Sequence, residues 1–184
     1  TAALLLAREG AVITAISDVS GALYNPQGLD IEAIYSFIHE GAERKLLSDY
    51  KDENAKRISN EEMFSLEADI IVPAAMENQI NEDIAKKIKA PLIVEGANGP
   101  VTREADAVLD KKGTVVVPDI LSNAGGVVVS YFEWVQNIQS LMWDLDEINR
   151  ALEKIMIRAF NSVWDMSQEK KVTLRKGAYI VALE

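Results

Sequence analysis

The sequence predicts an α/β chain, doubly wound around a mainly parallel sheet and closed by C-terminal helices. Three observations carry that expectation. Four short runs rich in Val or Ile, at Val12 to Ser17, Asp69 to Val72, Leu92 to Glu95 and Thr114 to Val117, lack strict polar alternation, as strands covered on both faces should. Longer helical patterns separate them, which is the order of a parallel sheet with crossover helices. The last third changes character, with apolar residues recurring at helical spacing.

The elements follow in order. Thr1 to Glu9 reads as the body of a helix that ends at Gly10, before the Val12 strand. Leu29 to Leu47 has an intermittent apolar face through Ile31, Ile34, Ile38 and Leu46. Ser48 to Arg57 is charged and poorly periodic and reads as a surface insertion. Ser59 and Glu62 stand at capping-box spacing before a short helix through Leu66, and Asn81 and Thr102 precede two further helical runs. Ile120 to Gln139 has the length of one long helix. Asp144 opens another, with Leu145, Ile148, Leu152, Ile155, Met156, Ala159 and Val163 on one face. A last helix is expected from Leu174 to the end, after a connection near Lys170 to Thr173.

Composition excludes several classes of function. The 184 residues contain no cysteine and one histidine, His39, so thiolate and histidine-rich metal sites, disulfides and a cysteine nucleophile are ruled out. Lys and Arg number 19 against 29 Asp and Glu, a formal charge of -10, and they are scattered, which argues against nucleic acid as a partner. No run approaches the roughly 18 apolar residues that span a bilayer, so no membrane partner is expected.

The chemistry-bearing segments lie after strands. Asp18 ends the first strand, where dinucleotide-binding units place a carboxylate for the adenosine ribose; Asp18 to Gly21 also has ordinary turn chemistry, and the spacing leaves both roles open. Pro73, Ala74 and Ala75 follow the Asp69 strand, and two alanines at the carboxyl end of a parallel strand leave room for a ligand against the backbone. Leu92 to Pro100, LIVEGANGP, carries a strand into small residues and the Asn98 amide, although Asn-Gly is also a plain turn signal. Glu95 reads as a polar strand terminus or a supporting group. Gly125 and Gly126 each disfavour a helix by about 1 kcal/mol relative to alanine, so they point to a close backbone approach to another surface or to ligand.

Taken together, PAAMENQ at Pro73 to Gln79, LIVEGANGP, and NAGGVVVSYFEW at Asn123 to Trp134 resemble the nicotinamide-binding domain of the Glu/Leu/Phe/Val dehydrogenase family, and its glutamate-specific members in particular. The resemblance implies a Rossmann-like domain over residues 1–143 and a C-terminal helical segment over 144–184 packing on it. No G-x-G-x-x-G occurs; the resemblance places that turn and the first strand just upstream of Thr1, so the chain is expected to be a fragment that binds cofactor poorly alone. It further implies NAD or NADP as cofactor, held by Asp18, Ala74, Ala75, Asn98 at the nicotinamide ribose and Asn123 near the nicotinamide. Ser130, within SYFEW, would reach the side-chain carboxylate of L-glutamate. The implied reaction is reversible oxidative deamination of L-glutamate to 2-oxoglutarate and ammonia, in a cytoplasmic homo-oligomer, hexameric in this family. Its catalytic lysine and aspartate belong to an N-terminal substrate domain, so no catalytic residue is assigned in this chain. A leucine, phenylalanine or valine dehydrogenase, and a noncatalytic nucleotide-binding module, are the alternatives.

Overall fold

The computed structural model describes residues 1–41 and 45–183. They divide into two compact units, residues 1–68 with 87–90, and residues 69–86 with 91–184. The fold is mixed α/β.

In the first unit, α1 (Ala2–Arg8) is followed by Gly10 at φ 94°, in the left-handed region that glycine enters without strain. The chain then forms β1 (Ala15–Asp18) and turns over Val19 and Ser20 into β2 (Gly21–Tyr24), with Asp18 opposite Gly21. β3 (Lys56–Ile58) joins the far edge of β2, giving an antiparallel sheet in the order β1-β2-β3. This corrects two expectations. Among the described residues the run at Val12 pairs antiparallel, with β2, because a two-residue connection returns the chain antiparallel. The charged segment read as a surface insertion ends in a strand.

α2 (Ile31–His39) is capped by Asp30, whose Oδ1 accepts from the Ala33 N–H at 2.9 Å. It is shorter than the helix expected over 29–47, because Glu40 is extended and Gly41 adopts φ 93°. Residues 42–44 of that expected helix lie outside the described residues. Leu47 instead sits in a single 3-10 turn (Leu47–Asp49) and is buried with Leu4, Leu23, Leu29, Ile31 and Ile34. Burying each such side chain contributes about 1.5–3 kcal/mol, which is what holds this small unit together. α3 (Asn60–Phe64) begins with the expected capping box: Ser59 and Glu62 accept from each other's backbone N–H at 3.1 and 3.0 Å.

In the second unit, β4 (Ile70–Ile71), β5 (Leu92–Val94) and β6 (Val115–Val117) form the expected parallel sheet, with Ile70 opposite Leu92 and Ile93 opposite Val116. α4 (Glu82–Lys87) and α5 (Arg103–Lys112) are the crossovers. Asn81 and Thr102 start them as expected, accepting from Ile84 and Ala105, and Gly113 at φ 75° stops α5. Ile80, Ile93 and Leu109 are fully buried beneath the sheet and helices.

The helix expected from Ile120 to Gln139 is two helices, α6 (Asp119–Ser122) and α7 (Gly125–Gln139), separated at Asn123 and Ala124. α8 (Leu145–Lys170) opens on a capping box between Asp144 and Glu147, and α9 (Leu174–Leu183) follows a short connection. Leu121, Val163, Leu174 and Ala178 form the core that joins α6, α8 and α9. The tight crossing is at Gly177, where a Cβ would come within 3.0 Å of the Val163 carbonyl oxygen. Gly126 has open space, and a Cβ on Gly125 would meet Leu152 of α8 at an ordinary 3.6 Å. Within this chain, then, the double glycine does not mark a forced backbone approach.

Candidate functional site

The carboxyl ends of β4, β5 and β6 share one edge of the parallel sheet, the edge at which open α/β sheets collect ligands. After β4, the Pro73 carbonyl accepts from the Gly96 and Ala97 N–H groups at 3.0 and 2.9 Å, stitching the two post-strand loops together. Glycine at 96 lets the two loops approach closely, since a Cβ there would lie 3.0 Å from the Ala74 Cβ. Ala74, Ala75 and Gly96 are exposed beside this seam, leaving backbone and methyl groups for a flat ligand.

Asn98 and Asn123 meet at this edge. The Asn123 amide donates to Asn98 Oδ1 at 2.6 Å, which leaves the Asn98 amide donors and the Asn123 side-chain oxygen without a hydrogen bond among the described residues. The pair therefore presents donors and an acceptor side by side. Asn78 takes a left-handed conformation at φ 56°, with its N–H bonded to the Gly99 carbonyl at 2.8 Å.

Beneath the amides lies a charged network. Glu95 is 0% exposed and its carboxylate is gripped by both arms of the Arg175 guanidinium, at 2.7 and 3.1 Å. Its Oε2 also accepts from the Asp119 N–H at 2.7 Å, and the Ser122 hydroxyl donates to the Glu95 carbonyl. Asp119 in turn accepts from the Gly99 N–H at 2.8 Å and lies 3.5 Å from Arg175, which also reaches Asp106 at 3.3 Å. Burial pulls the Arg175 pKa down, but its hydrogen bonds and ion pairs with Glu95 and Asp106 outweigh that effect and leave it raised. The group stays cationic, as a buried carboxylate requires.

Ser130 lies exposed in the middle of α7, roughly 7.5 Å along the axis from Gly125 at 1.5 Å per residue. Nearby on the same helix Tyr131 and Trp134 are exposed with ring centroids 5.8 Å apart.

Asp18 belongs to the first unit. Its Oδ1 accepts from the Ser20 N–H at 2.7 Å and from the Ser20 hydroxyl; its Oδ2 accepts from the Leu47 N–H at 2.8 Å. Its backbone carbonyl accepts from the Asn60 amide at 2.9 Å. The turn chemistry anticipated for Asp18 is thus present.

Sequence reading did not find Asp119 or Arg175. A signal existed for the need alone: Glu95 after an apolar strand run requires a buried partner. Nothing in the sequence identified that partner as Arg175, which stands 80 positions away on α9.

The chain matches, over residues 1–184, the family model described as Glutamate/Leucine/Phenylalanine/Valine dehydrogenase. It is 49% identical to the glutamate dehydrogenase of Thermotoga maritima and 46% identical to the NADP-specific glutamate dehydrogenase A1 of Halobacterium salinarum. Each match covers the whole chain but 43% of the relative. Among solved structures, the hetero-hexameric glutamate dehydrogenase of Thermus thermophilus in a leucine-bound form superposes with a TM-score of 0.82 at 34% identity, over 96% of this chain and 40% of that one.

Proposed function

The chain belongs to the glutamate/leucine/phenylalanine/valine dehydrogenase family, and we propose that it is the cofactor-binding part of a glutamate dehydrogenase, which interconverts L-glutamate with 2-oxoglutarate and ammonia. The observation that supports this best is the Asn98–Asn123 amide pair beside the Ala74–Gly96 seam, at the ligand-collecting edge of the parallel sheet. Small exposed residues next to paired amides fit a nicotinamide and its ribose, which need a flat face and complementary donors and acceptors.

In this reading NAD or NADP, when bound, supplies the hydride acceptor. The residues of this chain orient the reacting partners, which is the share of the work a protein contributes to cofactor chemistry. Ala74 and Ala75 lie against the cofactor without crowding it. Asn98 bonds the nicotinamide ribose, and Asn123, through its bond to Asn98, holds that amide's orientation beside the ring. Asp18, at the end of β1, accepts from the adenosine ribose hydroxyls. Ser130 donates to the side-chain carboxylate of L-glutamate. No residue here acts as general acid or base. Residues 1–143 serve as the dinucleotide-binding domain, with 144–184 as helical support, in a cytoplasmic homohexamer.

The test is reduction of NAD and of NADP by the full-length parent protein with L-glutamate, L-leucine and L-phenylalanine in parallel. Preferential turnover of glutamate is expected. Turnover of leucine or phenylalanine without glutamate would keep the family and overturn the substrate and the role given to Ser130. Cofactor binding without turnover of any amino acid would make the chain part of a nucleotide-binding module.

A further inference from the structure

α6 is only four residues long, yet with Asn123 it makes three attachments to the loop after β5. The Ser122 hydroxyl holds the Glu95 carbonyl at the start of the loop, Asp119 Oδ2 holds the Gly99 N–H at 2.8 Å at its end, and Asn123 holds the Asn98 side chain at 2.6 Å. α6 is itself fixed from below, because the Asp119 N–H donates to the fully buried Glu95 carboxylate that Arg175 grips with both arms. The other Asp119 oxygen is occupied too, accepting from the Ile120 N–H at 2.8 Å and lying 3.5 Å from Arg175.

Two physical features give this chain of contacts a direction. The guanidinium fork is planar and two-armed, so it fixes the angle as well as the place of the Glu95 carboxylate. At the other end Gly99 sits at φ 56°, where glycine has several conformations open to it. The bond from Asp119 restricts that freedom one residue from Asn98. An amide displaced by 1 Å loses most of its bond to a ligand, so precision here bears on affinity.

We propose that Asp119, anchored by the buried Glu95–Arg175 pair, is a positioning residue that sets the Asn98 amide for the nicotinamide ribose. The inference rests on the reading of Asn98 as a cofactor contact. Asp119 touches no cofactor itself and acts through the Gly99 backbone.

The experiment is a double-mutant cycle in the full-length parent protein, reading the cofactor dissociation constant and the melting temperature of each variant. Asn98→Ala and Asp119→Ala are each expected to raise the dissociation constant about tenfold, the loss of one hydrogen bond of charged or tightly held type. The double variant should also be near tenfold, because Asp119 has nothing left to position; independent sites would give about a hundredfold. Asp119→Asn, which keeps one carbonyl acceptor for Gly99, should recover most of the affinity. A hundredfold loss in the double variant, or wild-type affinity in Asp119→Ala, would overturn the proposal. An Asn98→Ala enzyme with unchanged cofactor affinity would instead remove the underlying reading of Asn98. Should Asp119→Ala fail to fold, Arg175→Lys carries the test: weakened cofactor affinity with the melting temperature held supports the proposal, and a lowered melting temperature at unchanged affinity overturns it.

Discussion

At the end of β1, both carboxylate oxygens of Asp18 receive hydrogen bonds from the chain itself, from Ser20 and from Leu47. At the end of β5, Asn98 shares a single bond with Asn123 and keeps its amide donors. Both residues follow or end a strand, but the first already works as an internal anchor while the second is braced and keeps its amide donors. A strand-end position is therefore not enough to define a binding residue; what matters is which hydrogen-bonding capacity the fold has already used. By that measure the second unit holds the better-prepared site, and the support it needs is buried charge beneath it.

The strongest way to break the contrast is to remove that support. Arg175→Ala leaves the 0%-exposed Glu95 carboxylate without its counter-ion, and breaking one side of a buried pair destabilises by about 3–5 kcal/mol. Amide exchange in the full-length protein should accelerate across residues 95–99 and α6, while β1 and β2 keep their protection. Equal loss in both units would mean that the network is not local.

Ser130→Ala comes next. Loss of a hydrogen bond to a charged group should weaken glutamate recognition by about 1.5–3 kcal/mol. Because Ser130 is exposed on α7, melting temperature and cofactor affinity should stay as they are. Unchanged glutamate kinetics would return Ser130 to the role of a solvated helix residue.

Asp18→Asn has a smaller effect, because the amide keeps one oxygen for one of the two sets of donors. A loss of about 1 kcal/mol is expected, seen as faster exchange at the Leu47 or Ser20 amide together with weaker NAD binding. Faster exchange with an unchanged NAD dissociation constant would make Asp18 an anchor alone.

These contrasts also mark what the sequence could show. The parallel strands were legible because short Val and Ile runs without polar alternation favour an extended chain, although Ile70 and Val115 are exposed rather than covered, and the helix starts were legible because Ser59, Asn81, Thr102 and Asp144 cap locally. β2 and β3 were not: Gly21 to Tyr24 and Lys56 to Ile58 are only four and three residues long, and β3 becomes a strand through pairing with β2, distant in sequence. The break between α6 and α7 was hidden because Ala124 stays near helical angles, at φ -60° and ψ -19°. Ala74, Ala75, Asn98 and Asn123 were nameable from their segments, and the structure brings them to one sheet edge. Arg175 had no local signal, since its partner is defined only by tertiary packing.

The smallest expected effect sets the first unit against itself as pH changes. Hydrogen bonds from the Ser59 backbone and hydroxyl hold the exposed Glu62 carboxyl below its ordinary value of 4.5. A carboxylate lowered in the folded state stabilises at pH above the unfolded value, and that contribution fades as pH falls through the lower folded value. The α3 capping box should therefore loosen only on the acid side of 4.5, while Glu62→Gln, which bears no titrating proton, should show no such dependence. Exchange at the Glu62 and Ser59 amides, compared between the two proteins from neutral to acid pH, checks this. Parallel profiles would show that the box is held by the neutral hydrogen bond of Ser59 rather than by the charge on Glu62.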